Sequence, residues 1–214
     1  VAVKLLDAAA GDERAERRFS TEAQAAARLR SPHVVQVLDH GIELVTASSA
    51  ESRRVPYIVM ELLEGETLGA RLAARGTLDL EETERIVTQV ARALGRAHAA
   101  GIVHRDLKPD NVFIVRNDDD EVVKVLDFGI AKVKRWAESS VNAESHTEDG
   151  AVVGTPSYMS PEQIQGDPVD ARADLWALGV LAFQCLSGRL PFVGKTVGDL
   201  LTKVCTTPAP SLSR

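Results

Sequence analysis

The densest group of reactive side chains is His104-Arg105-Asp106-Leu107-Lys108-Pro109-Asp110-Asn111. Asp106 offers a carboxylate, Lys108 an ammonium and Asn111 a carboxamide, all within six positions. Pro109 stiffens the turn between them by fixing its own φ. A further carboxylate follows at Asp127-Phe128-Gly129, after the mainly apolar run Val122 to Leu126. Two carboxylates and an amide oxygen are hard donors suited to Mg2+ or Mn2+. A carboxylate in such a group can also face a substrate hydroxyl, and the combination is what phosphoryl transfer needs. Taken singly, Asp106 and Asn111 read equally well as turn residues.

These residues must be held by elements legible in the pattern. Val1 to Leu6 is apolar and β-branched, a strand. Asp12 to Arg30 is rich in Ala, Glu and Arg without Gly or Pro, a helix that Ser31-Pro32 closes. Val34 to Leu38 and Val55 to Leu62 read as strands, with a polar loop at Thr46 to Arg54 between them and a break at Glu64-Gly65-Glu66. Thr67 to Arg75 is a short helix. Leu80 to Ala100 is a long one, with Ile86, Val87, Val90, Ala93, Leu94 and Ala97 on its apolar face and Gly101 at its end. Val112 to Val115 and Val122 to Leu126 form a strand pair around the acidic turn Asn117 to Glu121. Trp136 to Gly150 is polar, acidic and expected to be mobile. Pro161 to Gln165, Ala173 to Leu186 and Thr196 to Cys205 are helical. Strands dominate the first part and helices the second, so an α+β fold is expected, with a small sheet-rich lobe over residues 1–61, a larger helical lobe over 62–214 and a cleft between them.

Composition narrows the classes. The chain has 214 residues, 44% apolar and 26% charged, ordinary values for a globular protein. A net charge of -6 argues against a nucleic-acid partner, which calls for a basic face. Cys185 and Cys205 make no disulfide framework and point to a reducing compartment. The five histidines have no zinc-ligand spacing. The longest apolar run, Leu175 to Leu186, includes Gln184 and is too short to span a bilayer, so it reads as a buried helix. No signal peptide opens the chain, and Val1 reads as mid-strand, so a piece of a longer protein is expected. The expected setting is a cytoplasmic catalytic domain, with a membrane anchor elsewhere in the full-length protein left open.

In order, the segment 104–111, Asp127-Phe128-Gly129 and Gly154-Thr155-Pro156-Ser157-Tyr158-Met159-Ser160-Pro161-Glu162 resemble the eukaryotic-like (Hanks-type) serine/threonine protein kinases of bacteria. The resemblance covers Val1 to about Phe192 and implies a two-lobe protein-kinase fold that uses ATP. It implies Asp106 as base or orienter of the substrate hydroxyl, Lys108 against the γ-phosphate, and Asn111 and Asp127 as magnesium ligands. Lys4, in Val1-Ala2-Val3-Lys4, matches the lysine on the α- and β-phosphates. Glu22 matches its carboxylate partner, with Glu16 and Glu13 as less well spaced competitors. Met60-Glu61-Leu62-Leu63 matches the hinge: Glu61 to Leu63 would pair with the adenine edge, Met60 would guard a back pocket, and Ala2 and Phe113 would sandwich the ring. Each of these is equally at home as core. His104 and Phe128 are implied as packing between the lobes, and Asp174 as a buried acid bonded to the catalytic-loop backbone. Arg105 would pair with a phosphate on the loop from Phe128 to Pro161, where Ser139, Ser140, Ser145 and Thr147 are the candidate acceptors. Thr155 would contact Asp106 and Lys108.

The resemblance also marks departures. The Gly-rich phosphate loop would lie before Val1, and an Arg partner for Glu162 would lie after Arg214. Ser160 stands where Ala is more usual. The expected function is ATP-dependent phosphorylation of Ser or Thr in protein substrates, with autophosphorylation in the activation loop, in signalling. The alternatives are a pseudokinase-like scaffold, an inactive piece of an active kinase, or a small-molecule phosphotransferase. Against the first stand Lys4, Asp106, Asn111 and Asp127, and against the last stands the segment 154–162. A dimer through the first lobe of the full-length protein is left open, because the residues do not encode it legibly.

Overall fold

The computed structural model describes residues 1–6, 13–46, 52–116, 120–128 and 156–212. Two small antiparallel sheets organise the front of the molecule. The first contains β1 (Ala2–Leu5), β2 (Val37–Thr46) and β3 (Ser52–Met60) in the order β1-β3-β2. Helix α1 (Glu13–Ala27) lies against it. Phe19, Ala23 and Ala26, spaced by four and three, form one buried stripe packed with Val37 and Ile58.

The second sheet contains β4 (Gly65–Thr67), β5 (Val112–Arg116) and β6 (Glu121–Val125) in the order β4-β5-β6. It packs into the main core with α2 (Leu68–Arg75), α3 (Leu80–Ala99) and α5 (Arg172–Ser187); α4 (Pro161–Gln165) and α6 (Val197–Thr206) lie beyond. Helix α3 starts where the Asp79 carboxylate accepts the Glu82 amide at 2.8 Å. It ends where Gly101, at φ 75, donates to the His98 carbonyl at 2.9 Å. Its face Ile86, Val90, Ala93, Leu94 and Ala97 is fully buried. Helix α5 is apolar nearly all round and most of it is buried in the main core, while Leu175 stays exposed.

Several segments differ from the sequence expectation, α1 among them, which ends at Ala27, short of the expected Arg30. The strand expected over Val34 to Leu38 begins instead at Val37 and runs on to Thr46, with a bulge between Val37 and Asp39, and β3 starts at Ser52, inside the expected loop. Long pairing with β3 outweighs the weak strand propensity of Asp39-His40-Gly41. The break expected at Glu64-Gly65-Glu66 contains β4, which pairs Gly65 with Val115 and Thr67 with Phe113. Gly65 is needed there: its φ is 147, and a Cβ would sit 2.0 Å from the Ile114 carbonyl oxygen.

Beyond the covalent link at residues 61–64, the two sheets are stitched together. Val34 and Val125 form a parallel bridge, in which the Val35 amide donates to Val125 at 3.0 Å and the Val125 amide to His33 at 2.9 Å. Nearby, Glu61 and Gln36 bond reciprocally: the Glu61 amide donates to the Gln36 carbonyl at 3.1 Å, and the Gln36 amide to Glu61 Oε1 at 2.7 Å. Lys124 Nζ donates to the same carboxylate at 2.6 Å. Among the described residues, no helix is long and apolar enough to cross a membrane.

Candidate active site

The loop between α3 and β5 carries Asp106, Lys108 and Asn111. Pro109 to Asn111 forms a single 3-10 turn, and the Asn111 amide donates to the Lys108 carbonyl at 3.0 Å. This turn brings the Asn111 side chain back onto Asp106. Its Nδ2 donates to the Asp106 carbonyl at 2.8 Å and to Asp106 Oδ2 at 3.1 Å. With the NH2 committed, Oδ1 of Asn111 is the atom left to accept a cation. The Asp106 amide donates to His104 Nδ1 at 3.2 Å, while the other ring nitrogen of His104 lies 2.8 Å from the Leu126 carbonyl. Burial lowers the pKa of His104, so the ring is neutral and carries its proton on Nε2, the tautomer this network requires. His104 also packs on Phe128, with ring centroids 5.0 Å apart.

Asp174 at the start of α5, 1% exposed, anchors the loop from below. Its Oδ2 accepts the His104 amide at 2.8 Å and its Oδ1 the Arg105 amide at 2.8 Å. His98 on α3 adds a contact to Oδ2 at 2.7 Å. Two non-glycine residues here have left-handed backbone, Arg105 at φ 64 and Asp127 at φ 49. Such conformations are disfavoured by about 1–2 kcal/mol each and persist only where surrounding bonds hold them.

Lys4 on β1 reaches across to the Asp127 carboxylate, which follows β6. Ala2 sits beside Met60 in the β1–β3 register, and Phe113 lies on β5 opposite Lys124. Met60, Ala26, Val34, Val35, Val37, Ile58, Asp127 and Phe128 line a narrow cavity behind the cleft. Among the described residues, no three His, Cys, Asp or Glu side chains cluster as a metal cage. The donor set formed by Asp127 and the Asn111 amide oxygen fits a different arrangement, in which Mg2+ takes one or two protein oxygens and completes its shell with phosphates and water.

Residues 1–208 match the protein kinase domain model. The chain belongs to the protein kinase family. It is 38% identical over 217 residues to the probable serine/threonine-protein kinase PknB of Bifidobacterium longum (strain NCC 2705), covering 99% of this chain and 30% of that protein. It is 42% identical over 204 residues to the serine/threonine-protein kinase pkn3 of Myxococcus xanthus, covering 95% of this chain and 35% of that one. The chain thus spans about a third of the length of these curated relatives. Among solved structures, it is similar to the crystal structure of Rad53 1-466 in complex with AMP-PNP, with TM-score 0.70 and 28% identity over 95% of this chain and 45% of that chain.

Within this kinase fold, the structure brings Asp106, Asn111, Lys4 and Asp127 together over the buried His104, Phe128 and Asp174. Glu22 is half-buried on α1, and the described ion pair of Lys4 is with Asp127. Glu61 and Leu63 are half-buried, whereas Leu62 between them is exposed. Arg105 is exposed, and Glu162 is half-buried on α4. Gly129, Thr155 and the candidate acceptors Ser139, Ser140, Ser145 and Thr147 lie outside the described residues, as does the expected mobile stretch 136–150. Sequence reasoning missed three participants. His98 reads as one more residue near the end of α3, Lys124 as the polar face of a strand, and Gln163 as a surface position. Nothing in local spacing links them to residues that are 58 to 76 positions away.

Proposed function

We propose that the protein transfers the terminal phosphoryl group of ATP to Ser or Thr hydroxyls of protein substrates. The observation that carries this is the cleft constellation: Asn111 holding Asp106 at 3.1 Å, with Lys4 meeting Asp127 on the facing side. Asp106 orients the hydroxyl and accepts its proton. Lys108 offsets charge on the γ-phosphate, and Lys4, with Glu22 as partner, holds the α- and β-phosphates. Asn111 and Asp127 hold Mg2+, which when bound neutralises phosphate charge. Glu61 to Leu63 present backbone groups to the adenine edge, and Ala2 and Phe113 cover its faces. The complex of the structural relative with AMP-PNP supports nucleotide use here. Regulation is assigned to the segment after Phe128, with Arg105 receiving a phosphate placed there by autophosphorylation and Thr155 contacting Asp106.

The test uses the whole protein with ATP, Mg2+ and a generic protein substrate, read by phosphate incorporation at Ser and Thr. Asp106→Asn and Lys4→Met are each expected to lower incorporation by roughly 100-fold or more while leaving the fold intact. Label retained at the wild-type level in both variants would sink the assignment.

A further inference from the structure

Gln163, the third residue of α4, has no part in the chemistry above, yet both ends of its carboxamide are engaged. Nε2 donates to the Arg105 carbonyl at 2.8 Å. Oε1 accepts the Ser160 amide at 3.1 Å and the Ser160 hydroxyl at 3.2 Å, and Ser160 itself is 0% exposed. With donors on one side and acceptors on the other, the orientation of the amide is fixed: nitrogen toward the loop, oxygen toward the start of α4.

The carbonyl that Gln163 holds belongs to the peptide unit just before Asp106. The opposite end of that unit, the Asp106 amide, donates to His104 Nδ1 at 3.2 Å. The preceding peptide unit is held in turn by Asp174, which accepts the Arg105 amide at 2.8 Å. Arg105 at φ 64 therefore sits between two clamped peptide planes. Release of either plane would let a disfavoured left-handed residue relax, and relaxation would swing the Cα–Cβ bond of Asp106. We propose that Gln163 is a positioning residue for the reaction: it ties the Arg105–Asp106 peptide to α4, so that the aim of the Asp106 carboxylate depends on the seating of that helix. The proposal rests on Asp106 acting in phosphoryl transfer.

Gln163→Glu separates this role from plain packing. The variant keeps the shape and the acceptor for Ser160, removes the donor to Arg105 and sets a carboxylate oxygen against a carbonyl oxygen. In the whole protein, kcat for a protein substrate is expected to fall roughly 10- to 100-fold, with the KM for ATP within about 2-fold of wild type and the melting temperature little changed. Gln163→Met removes the donor without adding charge but also the acceptor for Ser160, so its melting temperature is expected to fall along with kcat, and it serves as the packing control. Hydrogen exchange at the Asp106 amide should speed up in both variants. Unchanged kcat and unchanged exchange in Gln163→Glu would overturn the proposal. So would a parallel loss of kcat, ATP affinity and melting temperature, because that would make the residue merely structural. If the wild type transfers no phosphate, the phosphoryl-transfer reading fails, while the exchange comparison still decides the tether.

Discussion

Arg71 shows how much a single residue can depend on partners far from it in sequence. It is 2% exposed and donates to Glu66 at 3.0 Å, Glu82 at 2.7 Å and Glu121 at 2.6 Å, joining β4, α3 and β6 around α2. Replacing it with Met removes the cation that the three carboxylates share and leaves each with one outer arginine, Arg116 on Glu66, Arg75 on Glu82 and Arg85 on Glu121. A loss of about 1–3 kcal/mol is expected, read as a lower urea midpoint. The pair also sets an acid limit. Hydrogen bonding from Arg71 draws Glu121 from an ordinary 4.5 down to about 2, and Glu66 shifts the same way. A carboxylate depressed on folding stabilises the protein above its unfolded value, so this contribution is complete above about pH 4.5 and is lost between there and about pH 2. In Arg71→Met that acid slope of the melting temperature should flatten, and an identical slope in both proteins would refute the account. None of this was legible beforehand. In Leu68-Gly69-Ala70-Arg71-Leu72-Ala73-Ala74-Arg75 the two arginines look alike, yet only Arg71 is buried. Asp106, Asn111 and Asp127 could be picked out because turn and strand bring them together over a short span, whereas burial of Arg71 is decided by Glu121, fifty positions away.

At the scale of elements, legibility followed how much of the stabilisation is local. Helix α3 could be read almost to the residue, because its apolar period and its stop at Gly101 are written within the segment, and the structure adds a cap at Asp79. Asp79→Ala should therefore destabilise the fold by about 1 kcal/mol, measured by denaturant titration, without altering nucleotide affinity. Strands β1, β5 and β6 lie within a residue of their expected bounds, whereas β2 and β4 fared worse. The later half of β2 lacks clean alternation and exists through its pairing with β3, and β4 exists because β5 offers it an edge. Strand edges depend on the partner strand, so single-segment patterns underestimate them.

For the molecule as a whole, the decisive arrangement is two crossings between the first sheet and the rest that lie away from the Lys4–Asp127 ion pair. One is the chain at residues 61–64, where Leu62 is 65% exposed; the other is the Val34–Val125 bridge, with Glu61 bound to both Gln36 and Lys124 beside it. A protease site placed at Leu62 should accept cleavage, and the two pieces should still co-elute on a native sizing column and part only in denaturant. Separate elution without denaturant would show that the second crossing is too weak to matter. Two attachments side by side also restrict what motion is allowed. A body held at one point can tilt in any direction, whereas a door hung on two pins turns about a single line. The stretch from His33 to Gln36 is the second pin, so sliding of one sheet across the other would break the bonds at both pins, and the opening that spares them is a rotation that parts Lys4 from Asp127.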